Sequence, residues 1–173
     1  MKERKFLRQA IFEVSNPQQF NELALEIFHY QASCCHVYNQ FCSGVGFNDA
    51  TVSKSEHLPF LPVTLFKSHK VLCNDLNEEL VFESSGTTGS LTSRHYVADT
   101  RLYEESMVRS FERFFGSLTG YSIFALLPGY LERGNSSLVY MVEKMRWKSN
   151  RSFGGFYLHE LDKLAIELQE AAI

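Results

Sequence analysis

Residues 82–97 read Phe-Glu-Ser-Ser-Gly-Thr-Thr-Gly-Ser-Leu-Thr-Ser-Arg-His-Tyr-Val, and every residue from Ser84 to Gly89 carries a hydroxyl or is glycine. Glycine lets the main chain approach a ligand closely, and successive backbone N–H groups in such a turn form an anion-binding concavity. The hydroxyls add uncharged hydrogen-bond donors. Because β-prone stretches at 80–82 and 95–97 flank the loop, we expect it at the edge of a sheet, holding phosphate oxygens.

The same composition is also typical of an ordinary surface turn, so the loop alone leaves both interpretations open. It is not a Walker-type loop, which requires Lys followed by Ser or Thr after the second glycine. It also lacks the spacing of a dinucleotide-binding fingerprint. A nucleotide bound at this loop would be held in another way.

The composition limits the classes of protein to consider. The chain has 173 residues, of which 45% are hydrophobic and 21% charged, and this predicts a single globular domain. The net charge of −3 and the lack of a basic stripe argue against a nucleic-acid partner. No apolar run approaches the roughly 18 residues of a membrane span. Charged residues interrupt the N-terminal segment, which argues against a signal peptide, so a cytoplasmic protein is expected.

Hydrophobic periodicity predicts an α/β fold in which N-terminal helices precede a mixed or parallel sheet with crossover helices. Asn16 has the pattern of a helix N-cap, with Pro17 first in the helix and Gln19 completing a capping box. The helices are predicted at 4–13, 16–42, 100–115, 136–147 and 160–172. The strands are predicted at 70–73, 80–83, 95–97, 121–127 and 155–158, and an extended segment over the core at 58–66.

Three stretches become specific when they are taken together. They are Leu58-Pro59-Phe60-Leu61-Pro62 with Phe66-Lys67, then Glu83 to Gly89, then Leu126 to Gly134 with Ser136 to Met141. In combination they resemble the acyl-protein synthetase (LuxE-type) family, within the adenylate-forming superfamily of acyl- and aryl-CoA ligases. The loop by itself indicates only the superfamily. The resemblance covers most of residues 16–158 and implies part of the N-terminal domain of an adenylate-forming enzyme.

The resemblance implies a ligase reaction. ATP, with Mg²⁺, and a carboxylic acid, typically a fatty acid, give an acyl-adenylate and pyrophosphate, and the acyl group then passes to a thiol. The implied partners are the acid and an acyl-accepting or reductase protein. The alternative is a non-catalytic module of the same fold that binds a nucleotide or a partner protein.

The resemblance also implies candidate site residues. The triphosphate-loop role falls on Ser84, Ser85, Gly86, Thr87, Thr88 and Gly89. Many superfamily members close this loop with Pro-Lys, whereas here the nearest cations are Arg94 and His95. Arg94 either replaces that lysine or is a solvated residue at a strand edge. Arg133 is either an anion contact beside a helix N-terminus or a surface turn residue next to a cap.

The four cysteines show no spacing typical of a disulfide framework. Cys34, Cys35 and His36 look like a metal cluster on paper. Because adjacent residues of one helix point about 100° apart, they cannot easily share one ion. We therefore expect buried, inert thiols and no metal site.

Members of the family are longer than this chain. Their later part supplies a Tyr-Gly-x-Thr-Glu-like adenylate motif, the ribose-binding acid and the acyl-accepting thiol, none of which is found here. The chain is therefore expected to be the N-terminal half of a larger acyl-activating domain, with the catalytic thiol beyond Ile173 and no complete activity of its own. An open sheet edge would then favour self-association.

Overall fold

The computed structural model describes residues 3–47, 52–84, 92–128, 134–149 and 152–171. Its mixture of helices and short strands confirms the α/β class. The helices are α1 (Arg4–Ala10), α2 (Pro17–Cys34), α3 (His36–Gly44), α4 (Leu65–Ser68), α5 (Thr100–Phe115), α6 (Ser137–Lys148) and α7 (Leu161–Ala171). The strands are β1 (Leu80–Glu83), β2 (Arg94–Val97), β3 (Ile123–Ala125) and β4 (Gly154–Phe156). Two compact units result, one from residues up to 81 together with β2, the other from 82–84 and from 99 onward.

The first long helix begins where the sequence predicts. The side-chain oxygen of Asn16 accepts the N–H of Gln19 at 2.9 Å, and Pro17 occupies the first helical position. The Gln19 side chain accepts from the N–H and the hydroxyl of Ser15, at 3.0 and 2.9 Å, rather than from Asn16. The N-cap at Asn16 is confirmed. The second bond of the capping box comes from Ser15, one residue before the cap, instead of from Asn16.

The prediction of one helix from 16 to 42 is wrong, because Cys35 is extended (φ −98°, ψ 104°) and separates α2 from α3. At the end of α2, the Cys34 carbonyl accepts the N–H of Asn74 at 2.8 Å, and the Cys34 thiol is disulfide-bonded to Cys73. Contacts with a segment 39 residues further along the chain therefore accompany the break. Periodicity within the helix carries no information about such contacts.

The expectation of four inert thiols is also corrected by this bond. Cys34 and Cys73 are joined, whereas Cys35 and Cys42 form no disulfide and are buried as predicted. The sequence offered no spacing signal for the pair, because only the folded chain brings residues 34 and 73 together.

The segment 58–66 follows its prediction only in part. It is irregular through Pro62, whose carbonyl accepts the N–H of Leu65 at 3.0 Å as helix α4 begins. Phe60 is 81% exposed and Val63 78% exposed, so these two side chains do not cover a core, whereas the Pro59 carbonyl accepts the Tyr38 hydroxyl at 2.8 Å. The strand predicted at 70–73 does not form either, although all four residues belong to the described part of the chain.

Strands β1 and β2 form a two-stranded sheet, which confirms that the loop of residues 84–93 connects two strands. In the first unit, the N–H of Glu79 donates to the carbonyl of Val97 at 2.8 Å. The beginning of β1 thus lies beside the end of β2, and the two strands are antiparallel.

The second unit contains a parallel strand pair joined by a helix. Strand β3 pairs with β4 in the register Ile123–Gly154, Phe124–Gly155 and Ala125–Phe156, and α6 lies between them in sequence. The N–H of Tyr157 extends the pairing by donating to Ala125 at 2.8 Å. This arrangement confirms the predicted parallel pairing with a helical crossover. Strand β3 is shorter than predicted, and Leu126 just after it is 58% exposed.

Gly154 is required at the start of β4, and its substitution tests this pairing. Its φ is +100°, and a Cβ there would collide with the carbonyl of Ile123 on the paired strand. We expect Gly154→Ala to lower the free energy of unfolding by at least about 1–3 kcal/mol, measured by urea titration. Gly120→Ala is the matched control, because Gly120 has ordinary φ and open space around it. Equal stabilities for the two variants would contradict this account.

Candidate functional site

Two of the three distinctive stretches meet in the second unit. The N–H of Glu83, the last residue of β1, donates to the carbonyl of Asn135 at 2.9 Å. The side-chain amide of Asn135 donates a hydrogen bond of 3.5 Å to the Glu83 carboxylate. Ser84, the first residue of the hydroxyl-and-glycine loop, follows immediately and is exposed. The loop therefore leaves its strand beside the residues that lead into α6.

Helix α6 begins directly after this contact. Ser136 is its N-cap, and the Ser136 hydroxyl accepts the N–H of Val139 at 3.4 Å. The helix predicted at 136–147 is therefore confirmed, with its cap at Ser136. The first four N–H groups of a helix have no acceptor within the helix, and the helix dipole adds a partial positive charge there. The stem of the loop, residues Glu83 and Ser84, therefore lies next to a helix N-terminus that favours anions.

Most of the predicted loop falls outside the described residues. Of the site residues predicted from the sequence, Ser84 and Arg94 are described, and Ser85, Gly86, Thr87, Thr88, Gly89 and Arg133 lie outside the described ranges. Their assignment to phosphate binding stays a prediction. The structure adds the position of the residues where the loop begins, Glu83 and Ser84.

Arg94 and His95 differ as candidate cations. Arg94 is the first residue of β2 and is exposed. The His95 ring packs against Phe66, with 6.0 Å between ring centroids, and loss of hydration lowers the pKa of His95 below its usual value of 6.5. Although His95 is exposed like Arg94, its lowered pKa makes it the weaker candidate cation of the two.

An aromatic cluster with no local signature in the sequence supports the stem. Phe82, next to Glu83, is 5% exposed and contacts Tyr103 and Tyr140, with ring centroids 5.1 and 5.4 Å away. The Tyr103 hydroxyl donates to the carbonyl of Ser137 at 3.2 Å, in the first turn of α6. The cluster therefore connects β1 and α5 to the beginning of α6. Its members come from distant parts of the sequence, so no local pattern could have identified it.

A partly buried hydrogen-bond network adjoins this cluster. The Tyr140 hydroxyl donates to Glu104 at 2.7 Å, and the Lys144 ammonium lies 2.8 Å from the same oxygen. Burial would raise the pKa of Glu104, but the hydrogen bonds from Lys144 and Tyr140 outweigh it, so the pKa lies below 4.5. The bond to Glu104 likewise raises the pKa of Lys144, against a smaller opposing effect of burial.

The lowered pKa makes a prediction about acid stability. Because the folded-state pKa of Glu104 is below 4.5, its contribution is present above that pH and is lost as the pH falls through the folded-state value. We expect Glu104→Gln to destabilise the protein by about 1 kcal/mol at pH 7. The difference in free energy of unfolding between the variant and the original protein should shrink below pH 4.5. Urea titrations at pH 7 and at a pH below 4.5 measure it.

The control for this prediction is Glu105→Gln on the next position of α5. Glu105 forms an exposed ion pair with Arg109 at 2.8 Å, of a kind that contributes little to stability. A Glu104→Gln variant that lost stability in acid as steeply as the original protein would show that Glu104 does not carry the effect.

Comparison with known proteins adds one match. A family model described as acyl-protein synthetase, LuxE, matches residues 7–123, more than half of the chain. The matched range includes the Leu58-Pro59 stretch and the hydroxyl-and-glycine loop, whereas the stretch from Leu126 to Met141 lies beyond it. Neither the comparison with curated proteins nor that with solved structures gave a significant match. Within the described residues, every helix is too short or too polar to span a bilayer.

Proposed function

Because the chain belongs to the acyl-protein synthetase family LuxE, we propose that it takes part in the ATP-dependent activation of a carboxylic acid, with a fatty acid as the substrate class. In this reaction a carboxylate oxygen attacks the α-phosphorus of ATP, and the bond to the β-phosphate oxygen breaks. The products are an acyl-adenylate and pyrophosphate. A thiol then attacks the acyl carbonyl, so that a thioester forms and AMP leaves.

The observation that carries the proposal is the contact between Glu83 and Asn135. It brings the stem of the Ser84–Gly89 loop to the N-terminal end of α6, two segments that are separated by more than fifty residues of sequence. Both segments are rich in backbone and hydroxyl donors, and the carboxylate of Glu83 at the contact is hydrogen-bonded to the Asn135 side chain. This supports a binding site for a polyanion, whereas a surface turn would require no such partner.

The chemistry explains why donors of this kind are useful. An attacking carboxylate and the triphosphate are both anionic, so neutralising the phosphate oxygens and aligning them lowers the barrier. In the proposal, the hydroxyls and amides of the loop hold the β- and γ-phosphates. Mg²⁺, as in other phosphoryl-group reactions, would supply further charge neutralisation when bound.

The two arginines have separate places in this proposal. Arg94, charged and exposed at the start of β2, takes the part of the cation that closes the loop in the superfamily. Arg133, two residues before Asn135 in sequence, would contact an anion at the start of α6. A guanidinium is suited to either position, because it binds phosphate oxygens in a bidentate manner.

The loop is tested by binding of ATP with Mg²⁺ to the full chain. We expect saturating ATP with Mg²⁺ to raise the melting temperature, since a ligand at about 100 times its Kd contributes about 2.7 kcal/mol. Thr87→Ala should reduce the affinity about tenfold, corresponding to the roughly 1.4 kcal/mol of one hydrogen bond to a charged group. Titration calorimetry on both proteins gives the two Kd values.

The matched control is Thr92→Ala, the same substitution five residues further on and outside the Ser84–Gly89 segment. It should leave the affinity unchanged, and neither variant should alter the melting temperature without ATP by more than a degree or two. The absence of ATP binding, or equal losses in both variants, would overturn the loop assignment. Exchange of labelled pyrophosphate into ATP with long-chain acids then separates turnover from binding alone, the behaviour of a non-catalytic module.

A further inference from the structure

Three potential metal ligands lie together in the first unit. The Sγ atoms of Cys34 and Cys73 and a carboxylate oxygen of Asp75 are all within 4.8 Å of one another. Cys34 ends α2, whereas Cys73 and Asp75 come from the segment before β1. The cluster therefore forms only when these two segments meet in the folded protein.

We propose that, when the Cys34–Cys73 bond is reduced, Cys34, Cys73 and Asp75 bind one soft divalent cation of the Zn²⁺ class. This inference is independent of the proposed acyl-activating function. It also revises the sequence interpretation, in which Cys34 was compared with its neighbours Cys35 and His36 and no metal site was expected.

The main chain holds the ligands in place without the disulfide. The carbonyl of Cys34 accepts the N–H of Asn74 at 2.8 Å, between the other two ligand residues. The carbonyl of Cys73 accepts the N–H of Leu76 at 3.1 Å, and this closes a turn that includes Asp75. The first of these bonds joins the two segments independently of the disulfide, and in the proposal both bonds keep the sulfurs and the carboxylate close when the covalent bond is opened.

The donor set suits zinc. Thiolate and carboxylate are both common zinc ligands, and three protein ligands leave a fourth tetrahedral position for water. Cys73 is 9% exposed and Cys34 is half-buried, whereas Asp75 is exposed and gives an ion a route from solvent. Burial raises the pKa of Tyr30, and the charge of Asp75 raises it further while that of Arg4 lowers it, so Asp75 lies close enough to Tyr30 to act on it.

The disulfide and the metal exclude each other, which makes the site dependent on redox state. A dithiol reductant transfers two electrons to the S–S bond and is itself oxidised to a disulfide, leaving two thiols on the protein. Binding of Zn²⁺ then displaces one proton from each thiol, so that two protons are released for each ion bound. A small-molecule disulfide that accepts two electrons and is itself reduced to thiols re-forms the Cys34–Cys73 bond and expels the ion.

The experiment uses the full chain, reduced with a dithiol that is then removed under anaerobic conditions. With Zn²⁺ alone as the probe, we expect one ion per chain in competition with a chromophoric chelator. With Co²⁺, we expect the near-ultraviolet thiolate-to-metal band. The oxidised chain should show neither signal.

Variants identify the ligands. Cys34→Ser and Cys73→Ser should remove the thiolate band, and Asp75→Asn, an exposed and nearly isosteric change, should weaken Zn²⁺ binding at least about tenfold. Cys42→Ser removes a different buried thiol and should leave both signals unchanged. Circular dichroism shows whether each variant is folded, and Asp75→Asn keeps the test valid should a cysteine variant unfold.

Two results would overturn the proposal. One is that the reduced, folded chain binds no Zn²⁺ at micromolar concentration. The other is that Asp75→Asn binds as tightly as the original protein while Cys42→Ser loses the ion. Either result would leave Cys34 and Cys73 as a covalent cross-link only.

Discussion

The parallel pairing of β3 with β4 is the constraint on which the second unit depends. Two parallel neighbours cannot be joined by a tight turn, so the chain has to cross back over the sheet, and α6 makes that crossing. As a result α6 begins near the carboxyl end of β3. Ligands of open α/β sheets bind outside the carboxyl ends of the strands. The start of α6, with Asn135 and Ser136, therefore occupies a place where an anion-binding site is expected.

The contact of Glu83 with Asn135 then brings the loop stem to that place. One main-chain hydrogen bond would be a weak connection, since its net contribution is about 1 kcal/mol. It is reinforced by the buried rings of Phe82 and Tyr140 and by the bond between Tyr140 and Glu104. In the proposed function such support would keep the donors oriented before a phosphate arrives, as phosphate chemistry requires.

Local signals in the sequence were sufficient for most helix and strand positions. The Asn16 cap, the strands on either side of the hydroxyl-and-glycine loop, and helix α5 from Thr100 to Phe115 all follow from short-range patterns. The failures share a physical cause. The break at Cys35, the bond from Cys34 to Cys73 and the exposure of Phe60 depend on contacts, or on missing contacts, with distant segments.

The sequence by itself determined the family and the chemical character of the loop, because hydroxyl and glycine residues in a fixed order carry their hydrogen-bonding capacity wherever they lie. Only the tertiary structure decided what lies beside the stem of that loop and which cysteine meets which acid. Asn135 reaches Glu83, and Asp75 reaches Cys34, across long stretches of chain. Such long-range contacts depend on how strands pair and how helices cross, and these are properties of the whole fold.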